Sequence, residues 1–80
     1  MNKESEFAVI TVTAELQGSY YFVSSPELPG LALMGKNHTE LFDKLPYLIK
    51  ELYKDNYGMD VQVVKASEPE ENKWTWAIAA

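Results

Sequence analysis

His38 is the only imidazole in this chain, so any acid–base or metal chemistry has to be assembled around it. There is no Cys, which removes thiolate nucleophiles and the commonest zinc ligand; a zinc site at His38 would need carboxylates alone, unlike the usual ligand sets. Ser24 and Ser25 offer hydroxyls, but no second His or other evident base stands in a matching motif to activate them. Asp55 and Asp60 are a carboxylate pair of a kind common on any acidic surface, and no carboxylate cluster has the spacing of two-metal chemistry. No glycine-rich loop of phosphate-binding spacing occurs. These residues predict a protein that is not an enzyme and uses no cofactor or metal.

Binding is the chemistry left to consider. Twelve acidic residues face seven lysines, for a formal net charge of −5, and the chain has no Arg. Phosphate and base-edge recognition rely on basic side chains, with Arg as the preferred bidentate donor, so the composition argues against nucleic acid as a partner of this chain alone. It favours a basic protein. The opening Met1-Asn2-Lys3-Glu4-Ser5-Glu6 has neither a basic n-region nor an apolar h-region, and no run reaches the length of a membrane span. With no Cys to form disulfides, a soluble, cytoplasmic protein is expected.

The elements that would present these residues follow from their patterning. Eighty residues make one domain. Phe7 to Ala14 is rich in β-branched residues and leads to a turn at Gln17-Gly18-Ser19; Ser19 to Ser24 reads as a second strand and Leu31 to Met34 as a short third, giving an antiparallel meander. The intervening Ser24-Ser25-Pro26-Glu27-Leu28-Pro29-Gly30-Leu31 must be a defined loop, because two prolines fix φ and Gly30 permits a positive one. Asn37 and Glu40 have capping-box spacing and open a helix with an apolar stripe of Leu41, Phe42, Leu45, Leu48, Ile49 and Leu52. Pro46 predicts a kink or a restart there, and Gly58 the end. Met59 to Val64 alternates as a fourth strand; an acidic turn over Ser67 to Asn72 precedes Lys73 to Ile78, a possible fifth. The expected fold class is α+β: an antiparallel sheet of three to five strands, order βββαβ with a possible extra C-terminal strand, and one main helix on one face.

This order of parts resembles the HicB-like antitoxin domain family over about residues 7–66. The residues that carry the likeness are the Glu27-Leu28-Pro29-Gly30-Leu31 turn after the second strand, Thr39-Glu40-Leu41 at the helix start, and Leu45-Pro46-Tyr47-Leu48-Ile49 within it. The resemblance implies a bacterial or phage domain of a toxin–antitoxin system, whose relatives neutralise a small basic mRNA interferase of the HicA type by covering its catalytic His. Complete HicB antitoxins usually continue into a DNA-binding domain. Here the Trp-containing run, about residues 73–80, follows instead, outside the family pattern.

The candidate partner-binding residues are Tyr20, Phe22, Glu27, Pro29, Gly30, Trp74 and Trp76. Each also has a plainer reading: turn chemistry for Pro29-Gly30, strand packing for Tyr20, Tyr21 and Phe22, and core packing for Trp74 and Trp76, which share a face with Ile78. His38 reads as a solvated first-turn residue and Glu68 to Glu71 as a solvated loop. Two kinds of association remain open. One is inhibition of a basic toxin through the sheet or a Trp-bearing edge. The other is a homodimer formed when an edge strand such as the C-terminal one pairs with its symmetry mate, serving as a scaffold or ligand-binding module.

Overall fold

A computed structural model describes residues 6–79 of the chain. The Met1–Ser5 segment, read above as carrying no leader, lies outside the described residues. Elements run β1 (Glu6–Gln17), β2 (Tyr20–Ser24), β3 (Ala32–Gly35), α1 (His38–Tyr57), β4 (Gln62–Lys65) and β5 (Lys73–Ala79). The five strands form one antiparallel sheet in the order β3-β2-β1-β5-β4, with α1 across one face. The expected α+β class and the meander β1-β2-β3 are both present.

The long first strand serves two partners. Its C-terminal half, Thr13 to Gln17, pairs with β2, and its N-terminal half, Glu6 to Thr13, pairs with β5. Thr13 alone is opposite a residue on each side, Ser24 and Lys73. The sheet is therefore two offset sets of strands that share β1 as a seam. β5 lies between β1 and β4, paired on both sides. This corrects the expectation that the C-terminal strand is an edge able to pair with a second copy: its backbone groups are already taken on both flanks. The edges are β3 and β4.

Alternation along each strand sends one set of side chains towards the helix. Ile10, Val12 and Ala14 of β1, Val23 of β2 and Trp74, Trp76 and Ile78 of β5 are buried there with Leu41, Leu45, Ile49 and Tyr53, four positions spaced i, i+4 along α1. Leu28 and Leu31 from the proline loop and Val61 before β4 close the rim. Phe42, Leu48 and Leu52 from the expected stripe are half-buried on its flank, and Tyr53 extends it by a turn.

Capping follows the sequence with one refinement. Asn37 Oδ1 accepts the Glu40 N–H at 2.8 Å, while Glu40 Oε1 reaches the N–H of Lys36, at 3.3 Å, in place of that of the capping residue itself. Gly58, at φ 67°, ends α1, its N–H donating to the Lys54 carbonyl at 2.9 Å. Met59 N–H then reaches the Tyr53 carbonyl, so this residue belongs to the helix terminus and β4 begins later than its alternation suggests, at Gln62. Pro46 sits inside a single uninterrupted helix, so no restart occurs.

Candidate functional site

The seven candidate contact residues are distributed over three places. Trp74 and Trp76 are 3% and 2% exposed and face the helix, so they are core residues in this fold. Tyr20 and Phe22 point to the opposite, uncovered face of the sheet and are 38% and 39% exposed. Glu27, Pro29 and Gly30 occupy the loop after β2.

That loop is held by its own polar groups. Glu27 Oε1 accepts the Thr11 N–H at 3.0 Å and the Ser25 hydroxyl at 3.1 Å, latching the loop to the stretch of β1 that β2 has already left. The hydrogen bond from Thr11 holds the Glu27 carboxyl below its ordinary value; desolvation opposes this, and the Ser25 hydroxyl adds to the lowering. At the other end, Asn56 Nδ2 of α1 donates to the Pro29 carbonyl at 3.1 Å. Gly30 adopts φ 90°, a conformation that side chains rarely take. The loop buries Leu28 and Leu31 beneath these ties. Its first role is to seal the core beside β1.

The uncovered sheet face carries most of the exposed apolar surface of the strands. Val9 is registered with Ala77, and Ala77 with Val64, so these three form a row across β1, β5 and β4. Val9 and Val64 are 47% and 56% exposed. A second row runs Glu15, Phe22 and Met34 across β1, β2 and β3, with Met34 52% exposed. Thr11 and Thr75, paired with one another, lie between the rows. The face is thus two apolar strips about a hydroxyl-bearing centre. Lys36 Nζ lies 5.9 Å from the Tyr20 ring centroid at its margin. Val9, Val64 and Met34 were not among the sequence candidates; the register that aligns them depends on β5 entering the middle of the sheet, which alternation alone does not reveal.

His38 differs from its expected solvated state. Its ring is half-buried between Tyr21 and Trp74, with centroids 4.3 and 5.5 Å away, and its Nε2 is buried without a hydrogen-bond partner. The aromatic chain continues through Phe42 to Trp76. Trp74 Nε1 donates to the Glu70 carbonyl at 2.9 Å, whereas Trp76 Nε1 is buried and unpartnered. Among the described residues no group of three or more His, Asp or Glu side chains converges to hold a metal ion, and no helix is long and apolar enough to cross a membrane. Compared with known proteins, the chain matches no protein-family model, no curated protein and no solved structure.

Proposed function

We propose that this is a non-enzymatic, protein-binding domain of the cytoplasm, antitoxin-like, which uses its uncovered sheet face to dock on and inhibit a small basic RNA-cleaving protein of the HicA type. The observation that carries the reading is the exposed apolar side chains of the uncovered face, Val9 and Val64 on either side of the buried Ala77 and Phe22 beside Met34, on an acidic domain. Contiguous apolar rows with a polar margin are the usual make-up of a protein contact, and the charge of −5 selects a basic partner. The HicB-like order of turn and helix start supplies the class of partner.

The test is a pull-down of the tagged full chain from its native host, with mass spectrometry and light scattering on what is recovered. A salt-sensitive complex with a small Lys-rich or Arg-rich protein, whose RNA cleavage stops on binding, is the expected result. Replacing Phe22 and Met34 with Ala should weaken that complex by about tenfold or more while leaving the fold intact, as both side chains are substantially exposed. Recovery of the domain alone as a homo-oligomer would overturn the inhibitor reading in favour of self-association through this face or through the β3 or β4 edge.

A further inference from the structure

The two edges of the sheet are not alike. Beside β3 the helix closes tightly, since a Cβ on Gly35 would meet Leu41 Cδ2 at 2.9 Å. Beside β4 it stands off and leaves an open cleft of about 330 Å³, with Asp43, Pro46, Tyr47 and Lys50 of α1 on one wall and Val61 and Val63 on the other. Tyr47, 72% exposed, is the most exposed large apolar side chain among the described residues. We propose that this cleft and the β4 edge form a twofold contact with a second copy of the chain, in which the two β4 strands pair antiparallel and join the sheets.

Three observations choose a second copy as the occupant. The first is charge. Asp43 and Lys50 lie about two turns, or roughly 10 Å, apart on the same wall, one on either side of Pro46 and Tyr47. Neither has a salt bridge among the described residues, and neither has an opposite charge three or four positions away in the helix to supply one. A strip with one sign at each end and an apolar middle does not select a basic partner; a twofold axis through its middle sets each Asp43 against the other copy's Lys50. The second is the backbone. Ala66 N–H donates to the Thr75 carbonyl at 3.0 Å, so the two-residue alternation turns the N–H groups of Val64 and Gln62 towards β5 as well, and those of Val63 and Lys65 outward. No strand covers that flank among the described residues; β4 has no Pro or bulge to blunt it, and its one charge, Lys65, is at the strand's end. The third is the row Val9-Ala77-Val64 on the uncovered face, which runs out at this edge with Val64 56% exposed. Pairing of the two β4 strands continues that row into the second copy.

The dimer does not rest on the reading of this domain as an inhibitor, and it leaves Phe22 and Met34, at the far side of the sheet, open to another partner. Sedimentation equilibrium of the full chain and its charge variants tests it. Wild type is expected to be dimeric. Asp43→Lys and Lys50→Asp each set like charges against one another at both ends of the contact, so each variant should associate about tenfold more weakly or worse. An equimolar mixture of the two should regain the wild-type affinity as a mixed dimer, because both contacts between unlike copies are again opposite in sign. Both positions are exposed, so the variants are expected to fold. Lys65→Pro removes an outward N–H while sparing the bonds to β5, and should weaken the dimer likewise. A wild-type chain that stays monomeric up to about 1 mM, single variants that associate like wild type, or a mixture that fails to regain affinity would each overturn the contact. Self-association lost on replacing Phe22 and Met34, with the charge variants unaffected, would overturn it in favour of the uncovered face. A pull-down that recovers no basic partner, together with a dimer that obeys the charge exchange, would overturn the inhibitor reading and leave this contact standing.

Discussion

Two buried tryptophans of the same strand illustrate how local surroundings set the worth of a residue. Trp74 has a partner for its N–H and Trp76 has none, although both face the helix. Replacing each with Phe removes similar volume, but only Trp74→Phe gives up a hydrogen bond, while Trp76→Phe removes a buried orphan donor. Trp74→Phe should therefore be the more destabilising by about 1 kcal/mol, measured as the difference in urea unfolding free energy. At Gly30 the backbone is the issue: a Cβ would sit an ordinary 3.5 Å from Leu52 Cδ2, so space is available and the φ of 90° supplies the penalty. Gly30→Ala should cost about 1–2 kcal/mol by the same measurement. Glu27 adds a pH dependence. Its carboxyl is lowered in the folded state, so its contribution is complete above the ordinary value of 4.5 and is lost as pH falls through the folded-state value beneath it. Glu27→Gln keeps an acceptor for Thr11 without titrating there, so between pH 6 and pH 3, on the order of the carboxylate range, the urea midpoint of the variant should fall less steeply than that of wild type. The turn chemistry of Pro29 and Gly30 was legible from residue types, since few residues permit that backbone. The Glu27 latch was not, because the donor it accepts from is a backbone N–H sixteen residues earlier.

At the scale of elements, the periodicities identified the strands and the helix, and the caps at Asn37 and Gly58 fixed the helix ends. Two features escaped. Strand alternation says which face a residue takes but not which strand it lies beside, so the entry of β5 between β1 and β4 could not be read. The burial of His38 depends on Tyr21 and Trp74, which only the assembled sheet brings to the helix start. The uncovered face shared this fate: Tyr20 and Phe22 stood out in the sequence as contact candidates with strand packing as the plainer reading, whereas the row through Val9, Ala77 and Val64 exists only in the final register. Pro46 is the element-scale anomaly. A helix continues through it although the ring cannot donate to the Phe42 carbonyl and crowds it. Pro46→Ala should restore that bond and raise stability on the order of 1 kcal/mol, the gain in the helix being partly offset by a freer unfolded chain. A rise in the midpoint of thermal unfolding, with helical circular dichroism equal or greater, is the expected readout.

At the scale of the whole molecule, the helix-facing side of the sheet supplies the core and the opposite side is left uncovered. Outer salt bridges add little to this arrangement: Lys44 to Glu40, Lys54 to Asp60 and Lys65 to Glu68 span 3.5–3.7 Å between exposed side chains. Stability therefore depends on closing one apolar cluster drawn from both ends of the chain. Deleting β5 would remove Trp74, Trp76 and Ile78 and strip β4 of its sole strand neighbour, so a chain ended at residue 72 should show no cooperative thermal transition. The double allegiance of β1 also has a consequence in time. Its pairing with β2 needs only a two-residue turn, but its pairing with β5 joins residues from 60 apart, Thr13 with Lys73, to 73 apart, Glu6 with Ala79. The hairpin half can assemble while a nascent chain is still growing. The tryptophan half must wait for β5 and then close a loop of some 60 residues or more, far longer than the hairpin turn. Until that moment the N-terminal half of β1 carries Ile10 and Val12 with no strand beside it, so the newborn protein passes through an interval of exposure to proteases and to other chains that the finished fold no longer shows.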